Sequence, residues 1–239
     1  MNWNAILGIA CVVSLIFPVV VIFYNRYYTH RSLTALLIYY IILLIDNAIG
    51  EGFIPATPNI AHYVGIFDNY ADIPLMLTAL LFFCPSKQKQ NSIRYLTLGF
   101  IAYEVVITAL FGFSKKSITY ILAPGILLVL IYSAYHFVRQ VKFSIYHGKN
   151  HGRVLMLASI LFGYACYALI YFFHYIEKTP YIADVFKLYY ISSMISAVSM
   201  ALGLHLMRRR IRELELLKVT RKELAIIFGT QTKPKLADR

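Results

Sequence analysis

The amino-acid sequence predicts an all-α integral membrane protein, built as a bundle of seven transmembrane helices. Of its 239 residues, 59% are hydrophobic and only 14% are charged, and the mean hydropathy is +0.64. Soluble domains have a more polar composition. Seven apolar runs of about 20 residues are each long enough to cross a hydrocarbon core about 30 Å thick. The connections between them are short, which favours a single antiparallel bundle.

The runs divide the chain into a predicted bundle, residues 1–207, and a predicted cytoplasmic tail, residues 208–239. The first run is predicted to be a membrane span and not a signal peptide, because M-N-W-N contains no basic residue and the positive charges follow the run. Pro18, Pro74 and Pro124 lie within spans, where proline frees a backbone carbonyl and bends the helix, often beside a cavity. In chain order the predicted spans are Asn4–Tyr24, Leu33–Phe53, His62–Cys84, Ile93–Phe113, Ile118–Val138, Val154–Ile176 and Ala183–Met207.

An asymmetry of charge predicts the orientation of the bundle. The loops after the first, third and fifth spans carry nine Lys and Arg and no acid, whereas four Lys lie near the opposite loops. The positive-inside rule therefore places the N-terminus outside and the C-terminus in the cytoplasm, and we expect a multi-pass protein of a bacterial inner membrane. The nine residues are Arg26, Arg31, Lys87, Lys89, Arg94, Arg139, Lys142, Lys149 and Arg153, and the four are Lys115, Lys116, Lys178 and Lys187.

The net charge of +12 predicts an interaction with lipid. Most of the positive charge lies on the predicted cytoplasmic side, where it suits the anionic inner leaflet of a bilayer. Nucleic acid is not an expected partner, because that would call for an independent basic domain.

Polar residues between Leu43 and Phe83 predict a ligand-binding pocket. Ionisable groups inside membrane spans are costly and mark functional sites. Asn47 and Glu51 are four residues apart, so they share one helix face. The depths of all these groups converge on the outer half of the bundle. The candidate ligand-binding residues are Asp46, Asn47, Glu51, Asp68, Asn69, Asp72, Glu104, Tyr171, His174 and Lys187.

Roles can be assigned to some of the candidates. Asp68 and Asp72 also lie four apart, and Lys187 is the expected counter-charge for one of the carboxylates. The mid-span tyrosines Tyr103, Tyr164 and Tyr167 are further candidates to line the cavity. Two alternatives remain: a buried polar network that only fixes helix packing, and acids such as Asp68 and Asp184 that reach the outer headgroups.

The segment Y-A-D-I-P-L-M-L-T, Tyr70–Thr78, resembles the third-helix motif of microbial rhodopsins. That resemblance implies a counter-ion role for Asp72. Retinal attachment would need a lysine in the middle of the seventh span, but Lys187 precedes Met207 by 20 residues, about 30 Å of helix, and so lies at the outer boundary. The patches N-Y-A-D-I-P-L-M-L and K-V-T-R-K-E-L also resemble small seven-span membrane proteins of Bacteroidota, which implies an architecture and no particular activity.

No cofactor or metal site is expected from the sequence. His147 and His151 have the H-x3-H spacing found in membrane hydrolases of the ceramidase and adiponectin-receptor type. They flank Gly148 in a predicted loop and lack the further ligands that zinc catalysis requires. The three cysteines fall in or at the ends of spans, where we expect them to pack as small apolar residues.

The tail has the pattern of a basic amphipathic helix that ends near Gly229. It is expected to lie on the anionic inner leaflet, and it could instead relay a signal to a cytoplasmic protein or pair with a second copy. The leading functional hypothesis is a receptor- or sensor-like protein that binds a small or lipidic ligand in an outward-facing polar pocket. The alternatives are a proton-coupled carrier, in which Glu104 would extend the carboxylates inward, and a lipid-modifying membrane enzyme. Apolar residues recur in the tail at Ile211, Leu214, Leu217, Leu224 and Phe228.

Overall fold

The computed structural model describes residues 3–84, 86–148, 150–173 and 182–227, and within them it contains helices and no strand. Seven of these helices are long and apolar enough to cross a membrane, as the sequence predicts. Two short 3₁₀ segments, Tyr27–Thr29 and Leu81–Phe83, adjoin them. The α-helices are α1 Trp3–Tyr24, α2 Arg31–Gly50, α3 Pro58–Leu80, α4 Lys87–Phe111, α5 Lys115–His147, α6 His151–Tyr171 and α7 Ile182–Ile227.

Helix caps explain why α3 and α4 begin before their apolar runs. The Thr57 hydroxyl accepts the backbone N–H of the third residue of α3 at 3.4 Å, and Pro58 supplies a first helical position that needs no N–H partner. Ser86 caps α4 in the same way, accepting the N–H of Lys89. Both caps lie in polar segments that hydropathy leaves out, so the predicted starts at His62 and Ile93 are late.

Helix packing forms a closed ring. In order around the ring, α1, α2, α3, α5, α6 and α7 each contact the next, and α7 returns to α1. Helix α4 lies outside the ring and packs against α3 and α5. Its outward face is apolar, with Leu98, Val105 and Leu110 being 62%, 64% and 69% exposed. Such a surface suits a hydrocarbon surrounding.

Small residues bring α6 and α7 close together. A Cβ atom added at Gly152 would lie 2.6 Å from the carbonyl oxygen of Gly203, so neither position has room for a side chain. Ser159 Oγ donates to the Ser196 carbonyl at 2.7 Å, and Ser196 Oγ donates back to the Ser159 carbonyl at 3.2 Å. Small residues with interhelical hydrogen bonds are how membrane helices associate tightly. This contact fixes α7, and the cavity residues it carries, relative to α6.

Helix α7 does not stop where the apolar run ends. It continues through Met207 as one helix of 46 residues to Ile227, whereas about 20 residues are enough to cross a bilayer. Arg208 lies over the ring of Tyr24, 4.8 Å from the centroid, where α7 leaves the bundle. The sequence from Leu204 to Ile227 contains no Gly or Pro, the usual cause of a sharp bend. A separate tail domain therefore stays a prediction, and its residues 228–239 lie outside the described part of the chain.

Candidate functional site

A cavity of about 620 Å³ lies inside the ring, between α1, α2, α3, α6 and α7. It occupies the end of the bundle where α1, α3 and α7 begin, opposite the loops rich in Lys and Arg. We call this end the cavity end and the other the basic end. On α1 the lining extends from Asn4 to Leu15, a depth of about 16 Å by helical rise. The cavity thus reaches the middle of the bundle.

Helices α2 and α3 supply the acidic and amide wall of the cavity. Because the polar residues recur at three- and four-residue steps, they share the inward face of each helix. Asp46 lies beside α3, since a Cβ atom added at Gly65 would be 3.4 Å from its Oδ1. Six of the ten residues predicted from the sequence line the cavity: Asp46, Asn47, Glu51, Asp68, Asn69 and Asp72.

Helix α6 faces this wall with tyrosines. Tyr164 OH donates to Oδ1 of Asp72 in a buried hydrogen bond. Tyr167, one turn further along, donates to Oδ1 of Asn69 at 2.8 Å. The spacing of three residues on α6 therefore matches the spacing of three between the acceptors on α3, and the two bonds hold α3 and α6 at a fixed separation.

Helix α7 makes the corresponding bonds to α2. Tyr190 OH donates to Oε1 of Glu51 at 2.6 Å, and the amide of Asn47 bonds the hydroxyl of Tyr189 at 2.9 Å. On the other side of Glu51, a Cβ atom added at Gly8 of α1 would collide with the carboxylate. The carboxylate of Glu51 is thus enclosed between α1 and α7.

Several acceptors in the cavity have no donor within the described part of the chain. Asp46 and Asp68 are half-buried and line the cavity, and neither accepts a hydrogen bond or ion pair from another described residue. Asp72 is only 8% exposed, and its second oxygen, Oδ2, has no such bond either. Asn4 Oδ1 is buried and also lacks a partner. The cavity therefore presents acceptors that a bound molecule would have to satisfy.

Among the charged residue types, only acidic ones line the described part of the cavity. The described lining residues include four carboxyl groups, on Asp46, Glu51, Asp68 and Asp72, and contain no Lys, Arg or His. Lys187, which is half-buried on α7, is not among them. Tyrosine hydroxyls of α6 and α7 reach across the ring to Asp72 and Glu51, and the role of Lys187 as a counter-charge stays a prediction.

Three other predicted residues lie elsewhere. Glu104 is buried on α4, outside the ring, and its Oε1 has no hydrogen-bond partner in the described chain. Tyr171 donates to the backbone carbonyl of Thr119 on α5 at 2.7 Å, away from the cavity. His174 lies outside the described residues.

Proline explains the position of Tyr103. In an α-helix the N–H of position 124 would bond the carbonyl of Tyr120, but Pro124 has no N–H. Tyr103 of α4 donates to that carbonyl at 2.9 Å. The hydroxyl therefore satisfies a freed backbone group between α4 and α5 and does not line the cavity. Pro124 and Tyr103 are therefore linked through the Tyr120 carbonyl, outside the cavity.

The described residues hold no group of three or more His, Cys, Asp or Glu placed to bind a metal ion. At the basic end, Cys84 Sγ lies 3.8 Å from Nε2 of the buried His136. Burial raises the pKa of the Cys84 thiol, which disfavours the thiolate that a nucleophilic cysteine requires. His151 Nδ1 lies 3.1 Å from the hydroxyl of Ser144. These contacts indicate packing and hydrogen bonding in the basic half.

Sequence reasoning identified the acceptors of the site and two of the four tyrosines that bond them. Tyr164 and Tyr167 were recognisable from their mid-span position, whereas Tyr189 and Tyr190 resemble interfacial tyrosines until α7 is packed against α2. The geometry of the cavity is the guide to function, because no protein-family model, no curated protein and no solved structure matches this chain.

Proposed function

We propose that this chain is a receptor- or sensor-like protein of a bacterial inner membrane, which binds a small or lipidic ligand in the cavity. One observation carries the proposal: a cavity of about 620 Å³ with convergent polar groups lies at the end opposite the basic loops. Ligand pockets have volumes of about 300–1,000 Å³ and combine an apolar lining with a few placed polar groups. The positive-inside rule puts the basic loops in the cytoplasm, so the cavity opens to the outside.

The basic half of the bundle favours a receptor over a carrier. Beyond the floor of the cavity, apolar side chains that are at most 1% exposed fill much of the described interior. A carrier would have to open this half to release its substrate, and Glu104 does not extend the carboxylates through it. The filling residues include Ile22, Leu36, Leu80, Leu157 and Leu204.

Helix α7 supplies the route for a signal. It contributes Tyr189 and Tyr190 to the cavity and continues as one helix to Ile227. A ligand that competes for Glu51 or Asn47 changes the bonds that hold α7 to α2. Such a ligand favours one position of α7 over another, and the described part of the tail moves with the helix.

Labelling in intact cells tests the orientation and the access. In a chain whose Cys11, Cys84 and Cys166 are replaced by Ala, we introduce a cysteine at Ser193, which lines the cavity on α7. An impermeant maleimide added to intact cells should label Ser193→Cys. Labelling only after the membrane is opened would overturn the outward-facing pocket.

Two further measurements separate signalling from transport. Truncation after Arg212 should leave the bundle folded and its cavity labelled at the same rate, and it should abolish crosslinking to a cytoplasmic partner. Proteoliposomes containing the full chain should show no counterflow of a molecule that binds in the cavity. Flux of that molecule, together with an unchanged set of crosslinked partners after truncation, would favour a carrier over a receptor.

A further inference from the structure

The side chains that line the cavity restrict the chemistry of its ligand more than the volume of the cavity does. We infer that the cavity takes an organic cation, a molecule with an ammonium group and an apolar part. This inference rests on the proposed ligand-binding function and deepens it. The ammonium group is that of a soluble amine or of a lipid headgroup, and the two sources share the same recognition chemistry.

The balance of charge is the first reason. Four carboxyl groups line the cavity, and its described lining contains no cationic side chain. Charged groups inside a membrane bundle are costly unless they are paired. Asp46 and Asp68 accept nothing from the described part of the protein, so a cation in the cavity would supply the missing partner for both.

The balance of donors and acceptors is an independent reason. Asp72 is more than nine-tenths buried, and its Oδ2 has no hydrogen bond from a described residue. Asn4 Oδ1, a neutral acceptor on α1, is buried and equally unpartnered. An ammonium group carries only donors, up to three of them. It complements a cavity with free acceptors, whereas a carboxylate or phosphate ligand would need donors.

The tyrosines reinforce this preference for a cation, because their hydroxyl groups already donate hydrogen bonds within the protein. Tyr164, Tyr167 and Tyr190 donate to side chains of α2 and α3. What these residues offer a ligand is their rings, and aromatic rings attract ammonium groups through the negative charge of their faces. Tyr39 and Tyr40 add two further rings in an edge-to-face pair, with centroids 5.1 Å apart.

The floor of the cavity accounts for the apolar part of the ligand. Leu15, Leu43, Met76 and Ile160 line it, and none of them can satisfy a polar group. The carboxylates of Asp68 and Asp72 are separated by one helical turn above this floor, about 6 Å along α3. An ammonium group at the floor would find no acceptor, so the ammonium group binds beside α3 and the hydrocarbon lies against the floor.

Binding by matched probes tests the inference. The full chain is reconstituted in nanodiscs of phosphatidylglycerol, which has no amine, and titrated with n-hexylamine, 1-hexanol and hexanoate while thermal stability and heat of binding are recorded. We expect hexylammonium alone to bind and to raise the melting temperature. Asp68→Asn should weaken this binding by about tenfold or more, as expected for loss of a charge-assisted contact. Glu104→Gln, which removes a buried carboxyl outside the cavity, should leave the affinity unchanged.

Each other outcome has a defined meaning. Binding of hexanol or hexanoate in preference to the amine, with the cavity still labelled at Ser193→Cys, would overturn the cation and leave the ligand-binding function intact. No binding by any probe up to millimolar concentration would also overturn it. Failure of the cavity to be labelled from outside would instead remove the proposed function. A loss of hexylammonium affinity in discs that contain phosphatidylethanolamine identifies a lipid headgroup as the source, and equal affinity identifies a soluble amine.

Discussion

The bond between Tyr164 and Asp72 is a measurable connection between α6 and α3. Both residues are buried, at 4% and 8% exposed, and Tyr164 OH donates directly to the carboxyl group. Interhelical hydrogen bonds in membrane proteins average about 0.6 kcal/mol in double-mutant cycles, with a maximum of about 1.7. A charged acceptor makes such a bond roughly twice as strong. We therefore expect a coupling free energy of about 1–3 kcal/mol between the two side chains.

The assay is a double-mutant cycle of Tyr164→Phe and Asp72→Asn, read as the free energy of unfolding of the purified protein in one detergent. Tyr103→Phe serves as the matched control, because its hydroxyl bonds the Tyr120 carbonyl and not the cavity. It should combine additively with Asp72→Asn, within about 0.5 kcal/mol. Lys187→Met should also be additive with Asp72→Asn, since Lys187 does not line the cavity.

Two results would refute this reasoning. A coupling between Tyr164 and Asp72 below about 0.5 kcal/mol would mean that the bond does not hold α6 to α3. A coupling above about 1 kcal/mol between Lys187 and Asp72 would restore the ion pair predicted from the sequence and would place a cation in the cavity. The second result would also weaken the case for a cationic ligand.

The other predictions concern orientation, packing and the tail. A cysteine at Asn59 should react with an impermeant maleimide in intact cells and one at Asn150 should not; the reverse pattern would invert the bundle. Gly203→Ala should lower the free energy of unfolding by about 2 kcal/mol or more, because its Cβ would lie 2.9 Å from a carbonyl oxygen of α6. The control Gly99→Ala lies in open space on α4 and should raise the free energy of unfolding by up to about 1 kcal/mol. Equal effects of the two substitutions would argue against the close contact of α6 and α7. A peptide of the tail from Arg208 should become helical on anionic vesicles and dissociate at high salt, and binding that is insensitive to salt would exclude the electrostatic contribution.

The sequence predicts the position of a residue along the helix axis well and its rotation about that axis poorly. Hydropathy locates each span along the membrane normal, so the convergence of Asp46, Glu51, Asp68 and Asp72 at one level could be read directly. Glu104, predicted near mid-membrane, lies outside the ring because α4 packs on α3 and α5. Nothing in the composition of α4 distinguishes an outer helix from a ring helix.

The sequence also does not predict which side chains bond the acidic residues of the cavity. Lys187 was the expected counter-charge because opposite charges attract and it was the basic residue nearest in depth. The structure shows tyrosine hydroxyls donating to the acidic wall from α6 and α7, two helices that approach closely at Gly152 and Gly203. That approach depends on which small residues face each other across two helices, and a single sequence does not encode it in any local pattern.

The length of α7 gives small movements at the cavity a large effect at the other end of the protein. From Met207 to Ile227 the helix extends 20 residues beyond the apolar span, about 30 Å. A tilt of about 5° at the basic end would displace the last described turn by about 2.6 Å, comparable to the length of the hydrogen bond between Tyr190 and Glu51 whose loss could start it. Helix α7 would pivot at its serine and glycine contacts with α6, with a short segment on the cavity side of these contacts and a longer one beyond the bundle.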